Sequence, residues 1–228
     1  ETKVFHNVKT TSSNYQYWEQ FSQSTIGEVH YNVPSLTLEE ETEHDTYCYG
    51  PFYLSKIGHL YLSENVTRYP AYCFLDAYIE QEELEIHAES IGVRAFSGKN
   101  ISIETLTIGK ELQTFEWADS RFSTAFRQFM DCTIGTLIYL PINAETGEEC
   151  NRGIFETTII ETLVIDSAVE KIPNYLFYNA IIKFEEFSIN VPDIGYYSFA
   201  SEGITFKKLT IGEAVRTYLP ERSTFGGY

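Results

Sequence analysis

The sequence offers few side chains whose type and spacing could perform chemistry. The motifs GxSxG, HExxH, Walker A and GxGxxG are all absent from its 228 residues. Its five histidines are scattered, and the only ones that could converge with carboxylates on one sheet face are His59 and His87, together with Glu83 and Glu85. Two imidazoles and two carboxylates could hold a divalent metal. We interpret these four residues as part of a solvated polar face, because the sequence supplies no further metal ligand and no residues to orient the ligands. We therefore predict no metal and no cofactor.

The four cysteines also give no clear chemistry. Cys48, Cys73, Cys132 and Cys150 fit neither a zinc CxxC pair nor a dense disulfide framework. Disulfides Cys48–Cys73 and Cys132–Cys150 stay open, and a small buried role for Cys73 is the simpler interpretation. Either Cys132 or Cys150 could be a nucleophile only with a histidine base beside it, and the sequence does not place one there. We therefore predict that the chain is not an enzyme.

Charge and hydropathy exclude two classes of partner. The chain has 16 basic and 33 acidic residues, a formal net charge of −17. Phosphate binding needs a basic stripe, so nucleic acid and anionic membranes are improbable partners. No run of 18 apolar residues occurs, so we predict no membrane insertion.

The positions of these residues depend on a repeated phrase, in which two apolar residues flank one spacer and a segment ending in Phe follows. The clearest copies are 84–96, 163–177, 187–199 and 209–225, and fainter ones start at Leu36, Leu60, Leu106 and Ile138. Successive starts at 36, 60, 84, 106, 138, 163, 187 and 209 lie 22 to 32 residues apart. A period in this range is typical of a solenoid, in which each repeat buries its apolar face against its neighbours.

Each phrase predicts a short strand, a turn and a return. The two apolar residues point into the core while the spacer points outward. Gly or Pro after a second apolar position, as at Ile91-Gly92 and Ile172-Pro173, turns the chain. The Phe at the end of each phrase would stack in a column at the far side of the core.

Two segments depart from the repeat. Residues 1–33 lack the full phrase and are predicted to be an N-terminal cap, followed by a solenoid of about eight repeats over 34–228. An amphipathic helix that starts near Asp119 or Ser120 is predicted from apolar residues that recur at three and four, namely Phe115, Ala118, Phe122, Ala125, Phe126 and Phe129. The acidic loop 143–151 is expected to leave the stack.

The pattern resembles the BspA-like leucine-rich repeats of bacterial surface proteins, whose units run roughly as Leu-x-Ile-Pro, Val-x-x-Ile-Gly and Ala-Phe. Residues 84–98, 163–177 and 187–200 carry it best, and the likeness extends over roughly 34–225. The resemblance implies an α/β repeat solenoid, a right-handed stack with a parallel sheet on one face and short helices or turns on the other.

The resemblance also implies a secreted or cell-surface module that binds a host or matrix protein, or a glycan, without catalysis. A structural spacer in a larger surface protein is the alternative. The strand spacers predict an outward row at Thr37, Tyr61, Glu85, Thr107, Tyr139, Val164, Ser188 and Thr210. From this face we select the candidate binding residues Tyr61, Glu85, His87, Thr107 and Tyr139. Tyr61 and Tyr139 would be the anchors, because aromatic residues dominate interface energetics.

Overall fold

The chain winds into a stack of coils, and each coil from β3 to β14 is built from a long strand, a two-residue strand and a turn that contains a phenylalanine. The computed structural model describes residues 2–4, 21–34, 50–116, 126–146 and 152–216. Its strands are, in chain order, β1 (Thr2–Val4), β2 (Thr25–Tyr31), β3 (Lys56–Leu62), β4 (Arg68–Tyr69), β5 (Tyr78–Ile86), β6 (Ser90–Ile91), β7 (Ile101–Ile108), β8 (Thr114–Phe115), β9 (Thr133–Tyr139), β10 (Glu145–Thr146), β11 (Ile159–Ile165), β12 (Lys171–Ile172), β13 (Ile181–Ile189), β14 (Asp193–Ile194) and β15 (Ile204–Ile211).

The long strands form one sheet in the order β1-β2-β3-β5-β7-β9-β11-β13-β15. All of its pairings are parallel, and successive coils align their leucines, so that Leu84 lies opposite Leu106 and Leu106 opposite Leu137. The predicted parallel ladder is therefore confirmed. Ile, Leu and Thr suit these strands because such side chains pack well on a pleated, half-buried surface.

Alternation of buried and exposed residues is interrupted once in most long strands. In β11, Ile160 and Leu163 are buried, whereas Glu161 and Thr162 between them are both exposed. The same buried, exposed, exposed, buried run occurs in β2 and β3. β11 therefore presents two adjacent side chains outward at its centre, whereas β2 and β3 have a glycine, Gly27 or Gly58, at the first of these positions.

Most of the strand residues predicted to be buried lie in the core. These are Leu84, Ile86, Leu106, Ile108, Leu163, Phe187 and Ile189. Ile165 and Leu209 are only partly buried against that core. Ile211 is 56% exposed, so its predicted burial is wrong. Within the described residues β15 pairs on one side only, with β13, and no further coil covers its inner face.

The two-residue strands form a second side of the coil. They make a four-stranded parallel sheet in the order β10-β8-β6-β4 and a parallel pair β12-β14. Buried residues on this side include Tyr69, Ile91, Phe115, Ile172 and Ile194. Glycine follows Ile194 because a Cβ on Gly195 would lie 2.6 Å from the main-chain nitrogen of Asn174.

Phenylalanines form the third side as a continuous column. Ring centroids of neighbours along Phe21, Phe52, Phe74, Phe96, Phe129, Phe155, Phe177 and Phe199 lie 5.0 to 5.6 Å apart. The predicted Phe column is confirmed over these residues. Phe225 lies outside the described residues.

The turns around this column have a repeated backbone conformation. The residue two before the phenylalanine has positive φ at Tyr72, Arg94 and Tyr175, and the residue two after it at Asp76 and Asn179. Main-chain hydrogen bonds join each turn to the next, as from Tyr72 N to Val93 O and from Phe74 N to Ala95 O. The return side is thus held by its own ladder.

The described residues contain no helix, so the return side consists of turns and very short strands. Phe115 lies in β8 and Phe129 in the Phe column, and neither belongs to a helix. The rest of the predicted helix, 117–125, and the acidic loop from 147 to 151 lie outside the described residues. Right-handed winding stays a prediction.

The region predicted as a cap contributes strands to the main sheet. β2 pairs with β3 through Val29 and Leu60, and β1 pairs with β2. Ile26, Val29 and Tyr31 are buried like their counterparts in later coils. The boundary at residue 33 stays a prediction, and the strand proposed at Leu36 lies outside the described residues.

The predicted register of one repeat is wrong by one residue. Leu137, rather than Ile138, lies opposite Leu106 and Leu163, so Ile138 is the outward spacer and Tyr139 points inward. The segment Leu137-Ile-Tyr-Leu140 is apolar throughout, so alternation could not choose the buried face. A one-residue slip moves every side chain to the other face of a strand.

Candidate functional site

The outer face of the nine-stranded sheet is the surface where the sequence placed the candidate binding residues. Tyr61, on β3, is 44% exposed and confirmed as outward. Its ring stacks on His30 of the neighbouring strand, with centroids 4.4 Å apart, and lies 4.2 Å from the ring of His59. His30 also contacts Glu28, with Nε2 to Oε2 3.3 Å. These parallel strands therefore hold an aromatic and imidazole cluster at one end of the face.

Glu85 and His87 lie at the end of β5. Glu85 is exposed, and its Oε1 lies 3.5 Å from His87 Nε2. The other ring nitrogen, Nδ1, lies 3.6 Å from Glu111 Oε2. In the described part of the chain no three His, Cys, Asp or Glu side chains are grouped so that they could hold a metal ion. His59 contacts Tyr61 instead of joining a ligand set.

Thr107 and Tyr139 have different positions. Thr107, on β7, is half-buried and lies opposite Glu85 and Ile138. Tyr139 is 0% exposed in the core, so its predicted role as an outward anchor is wrong. The cause is the register of β9, in which Ile138 takes the outward position.

The strongest feature of this face is one that sequence reasoning missed. Two registered rows of uncharged side chains cross β7, β9 and β11, and a third runs from β9 through β11 to β13. We define the β-branched patch as Thr105, Thr107, Thr133, Thr136, Ile138, Ile159, Thr162, Val164 and Ile181. Ile159 and Val164 are each 44% exposed and Ile181 is 36% exposed.

Charged residues border the patch on both sides, and two exposed carboxylates, Glu104 on β7 and Glu161 on β11, lie on the strands of the patch itself. On β5, four exposed carboxylates, Glu80, Glu82, Glu83 and Glu85, share one strand that has no Lys or Arg. Beyond the other border, β13 and β15 carry paired charges: Lys207 Nζ lies 2.5 Å from Glu185 Oε2 and Lys208 Nζ lies 2.8 Å from Glu186 Oε2.

Among the residues that the structure describes, exposed and half-exposed aromatic side chains lie in two separate places. Tyr61 and Tyr78 are exposed on the sheet. A second group lies in the turns, where Tyr175 and Tyr197 stack at 5.4 Å, and Tyr178 and Tyr196 meet Tyr175 edge to face.

In the described part of the chain, the ionisable groups whose pKa is perturbed lie mainly in the core. Burial raises the pKa of the Cys132 thiol, which is fully buried and donates to the carbonyl of Phe96, with Sγ to O 3.0 Å. A neutral, enclosed thiol cannot attack a substrate. Cys73 is also buried, in the position held by Ala95 and Ser198 in other coils, as predicted. Cys48 and Cys150 lie outside the described residues.

The repeat matches a known sequence family. The sequence model of the BspA type leucine-rich repeat region, with six copies, matches residues 31–124 and 112–221. The chain belongs to this BspA-type family. No curated protein and no solved structure shows a match.

BspA-type repeats are typically found in bacterial surface proteins, and they typically form non-catalytic modules for binding or structure. Among the residues that the structure describes, we find no helix with the length and apolar character needed to span a bilayer.

Proposed function

We propose that this chain is a secreted or cell-surface binding module that holds a protein partner on the outer face of its nine-stranded sheet. The observation that supports the proposal is the β-branched patch. Ile159 and Ile181 lie opposite each other on β11 and β13 and are both exposed, and Val164 is exposed five residues further along β11. Contiguous exposed apolar surface on a soluble protein marks an interaction site more often than scattered apolar residues do.

A protein partner fits this patch better than a glycan. The aliphatic and threonine side chains of the patch give a flat surface without the open aromatic ring on which a sugar would stack. The one exposed tyrosine at the centre of β3, Tyr61, already packs against His30 and His59. Protein interfaces, in contrast, combine an apolar centre with a polar rim.

The test is to screen the chain against an array of purified extracellular matrix proteins and glycans, then measure affinity for each binder. Ile159→Lys combined with Val164→Lys places two charges in the patch. Loss of such anchors costs about 2 kcal/mol or more, about thirtyfold in affinity at 25 °C. The matched control is Glu170→Lys, an exposed position next to β12, which should leave binding unchanged.

Three other results would contradict the proposal. Binding to glycans and to no protein on the array would show that the partner is not a protein. Binding that survives the patch variant but is lost with Tyr178→Ser and Tyr197→Ser would move the site to the turns. An array without any binder would favour the structural spacer. Thermal unfolding of each variant separates loss of binding from loss of fold.

A further inference from the structure

The β-branched patch is too small to be a complete interface. Four strands about 4.8 Å apart and some five residues of outward surface give roughly 300 Å². A stable interface buries about 800 Å² on each partner. A protein seated on the patch must therefore also cover neighbouring strands, and the side chains there decide which partner fits.

The two neighbouring regions differ in charge. β13 and β15 carry Lys183, Lys207 and Lys208 against Glu185 and Glu186, a net charge of 3 − 2 = +1, and four of these five side chains are paired with each other. β3 and β5 carry Lys56 against Glu80, Glu82, Glu83 and Glu85, a net charge of 1 − 4 = −3 with histidine neutral, and the patch strands β7 and β11 add Glu104 and Glu161.

The acidic side cannot be covered by a neutral surface without loss. A partner that removes water from these carboxylates without offering cations leaves buried charge uncompensated. A partner that offers Lys or Arg gains attraction and faster association, because charge complementarity steers encounter. Tyr78 at the start of β5 adds to the preference, since it is 47% exposed and tyrosine rings attract cations.

We infer that the partner presents a segment rich in Lys and Arg that lies along β5, between Tyr61 on one side and the β-branched patch on the other. This inference rests on the proposed function. It adds the chemistry of the partner and the direction in which the partner extends from the patch, toward β5 and away from β15.

The experiment uses a displayed library of random twelve-residue peptides as the probe. Selection is run on the full chain, and enriched peptides are synthesised for calorimetry at low and high salt. The test variant carries Glu80→Gln, Glu82→Gln, Glu83→Gln and Glu85→Gln. The matched control neutralises four exposed carboxylates outside the long strands with Glu64→Gln, Glu89→Gln, Glu170→Gln and Glu202→Gln.

Basic peptides with apolar residues should be enriched. Their affinity should fall at least tenfold in the β5 variant, less than twofold in the control, and with rising salt in the wild type. Enriched peptides could instead be neutral, require Ile159 and Val164 for binding, and bind the β5 variant as well as the wild type. That result would overturn the inference and leave the proposed function standing. Peptides that ignore both regions, or no enrichment at all, would overturn both.

Discussion

The side chain of Gln81 replaces a main-chain partner for Leu60. Leu60 N donates to Gln81 Oε1 at 2.9 Å, and Gln81 Nε2 donates to the carbonyl oxygen of Leu60 at 3.0 Å. Main-chain pairing of β3 with β5 is confined to two registered pairs, Lys56 with Tyr78 and Ile57 with Ile79. β5 has nine residues and β3 seven, so the strands diverge beyond these pairs, and the buried amide of Gln81 fills the gap.

A short strand also lies beside a longer one later in the sheet, and there different side chains fill the space between them. β11 has seven residues and β13 nine, and their pairing is confined to Ile159 with Ile181 and Ile160 with Ile182. Phe184 occupies the position that corresponds to Gln81. Its ring stacks on Phe206 at 5.1 Å and packs against Phe187 at 4.3 Å. A junction between a short and a long strand can therefore be filled by hydrogen bonds or by rings.

Gln81→Leu should destabilise the chain by about 1 to 3 kcal/mol, because the N–H and carbonyl of Leu60 would be buried without partners. Unfolding by urea, followed by circular dichroism, measures the change. The exposed neighbour Glu82→Gln is the control and should stay within about 0.5 kcal/mol of wild type. A Gln81→Leu chain as stable as this control would show that the two hydrogen bonds do not support the junction.

Phe177→Ala should remove the centre of three stacked rings and cost about 3 to 5 kcal/mol, as large cavity-forming changes do. Phe177 is fully buried between Phe155 and Phe199, with centroids 5.6 and 5.2 Å away. Phe177→Leu keeps much of the volume and should cost far less. A loss under about 1 kcal/mol for the alanine variant in denaturant unfolding would argue against a column that supports the core.

How far the sequence predicts this molecule depends on the local contrast between apolar and polar residues. Leu84 and Ile86 lie between polar neighbours, so their burial and strand could be predicted. Tyr139 lies in an apolar run, and its orientation depends on the register with β7 and β11. The β-branched patch could not be found along the chain, because Thr136 and Thr162 become neighbours only when the strands are aligned. The exposure of Ile211 could not be predicted either, because it depends on whether a further coil packs against β15.

Tyr61 and Tyr139, which the repeat pattern predicts to act alike, should respond to substitution in opposite ways. Tyr61→Ala should leave stability nearly unchanged and, through its place beside β5, weaken binding of a basic peptide. Tyr139→Ala should cost about 3 to 5 kcal/mol by leaving a core cavity. Tyr139→Phe should be neutral or stabilising, since the Tyr139 hydroxyl is buried with no hydrogen-bond partner among the described residues. Melting temperatures of the three variants test this order, and a stable Tyr139→Ala chain would contradict the register of β9.

Alkaline pH should destabilise the fold, because several buried groups cannot release their protons in the folded chain. Burial raises the pKa of Tyr69 and, separately, the pKa of Tyr139, and it raises the pKa of the Cys132 thiol. The folded chain keeps these protons, whereas the unfolded chain releases them near pH 8.5 for Cys and near pH 10 for Tyr, at about their ordinary values. The unfolded state then binds fewer protons, so the free energy of unfolding falls as pH rises, by about 1.4 kcal/mol per pH unit for each group.

Urea unfolding between about pH 7 and 11 measures this effect. The free energy of unfolding should be level at first, decline above about pH 8.5 and decline more steeply above about pH 10. Tyr69→Phe with Tyr139→Phe removes two of these protons and should flatten the decline at the alkaline end, and an unchanged slope in that double variant would show that these hydroxyls ionise freely in the folded chain.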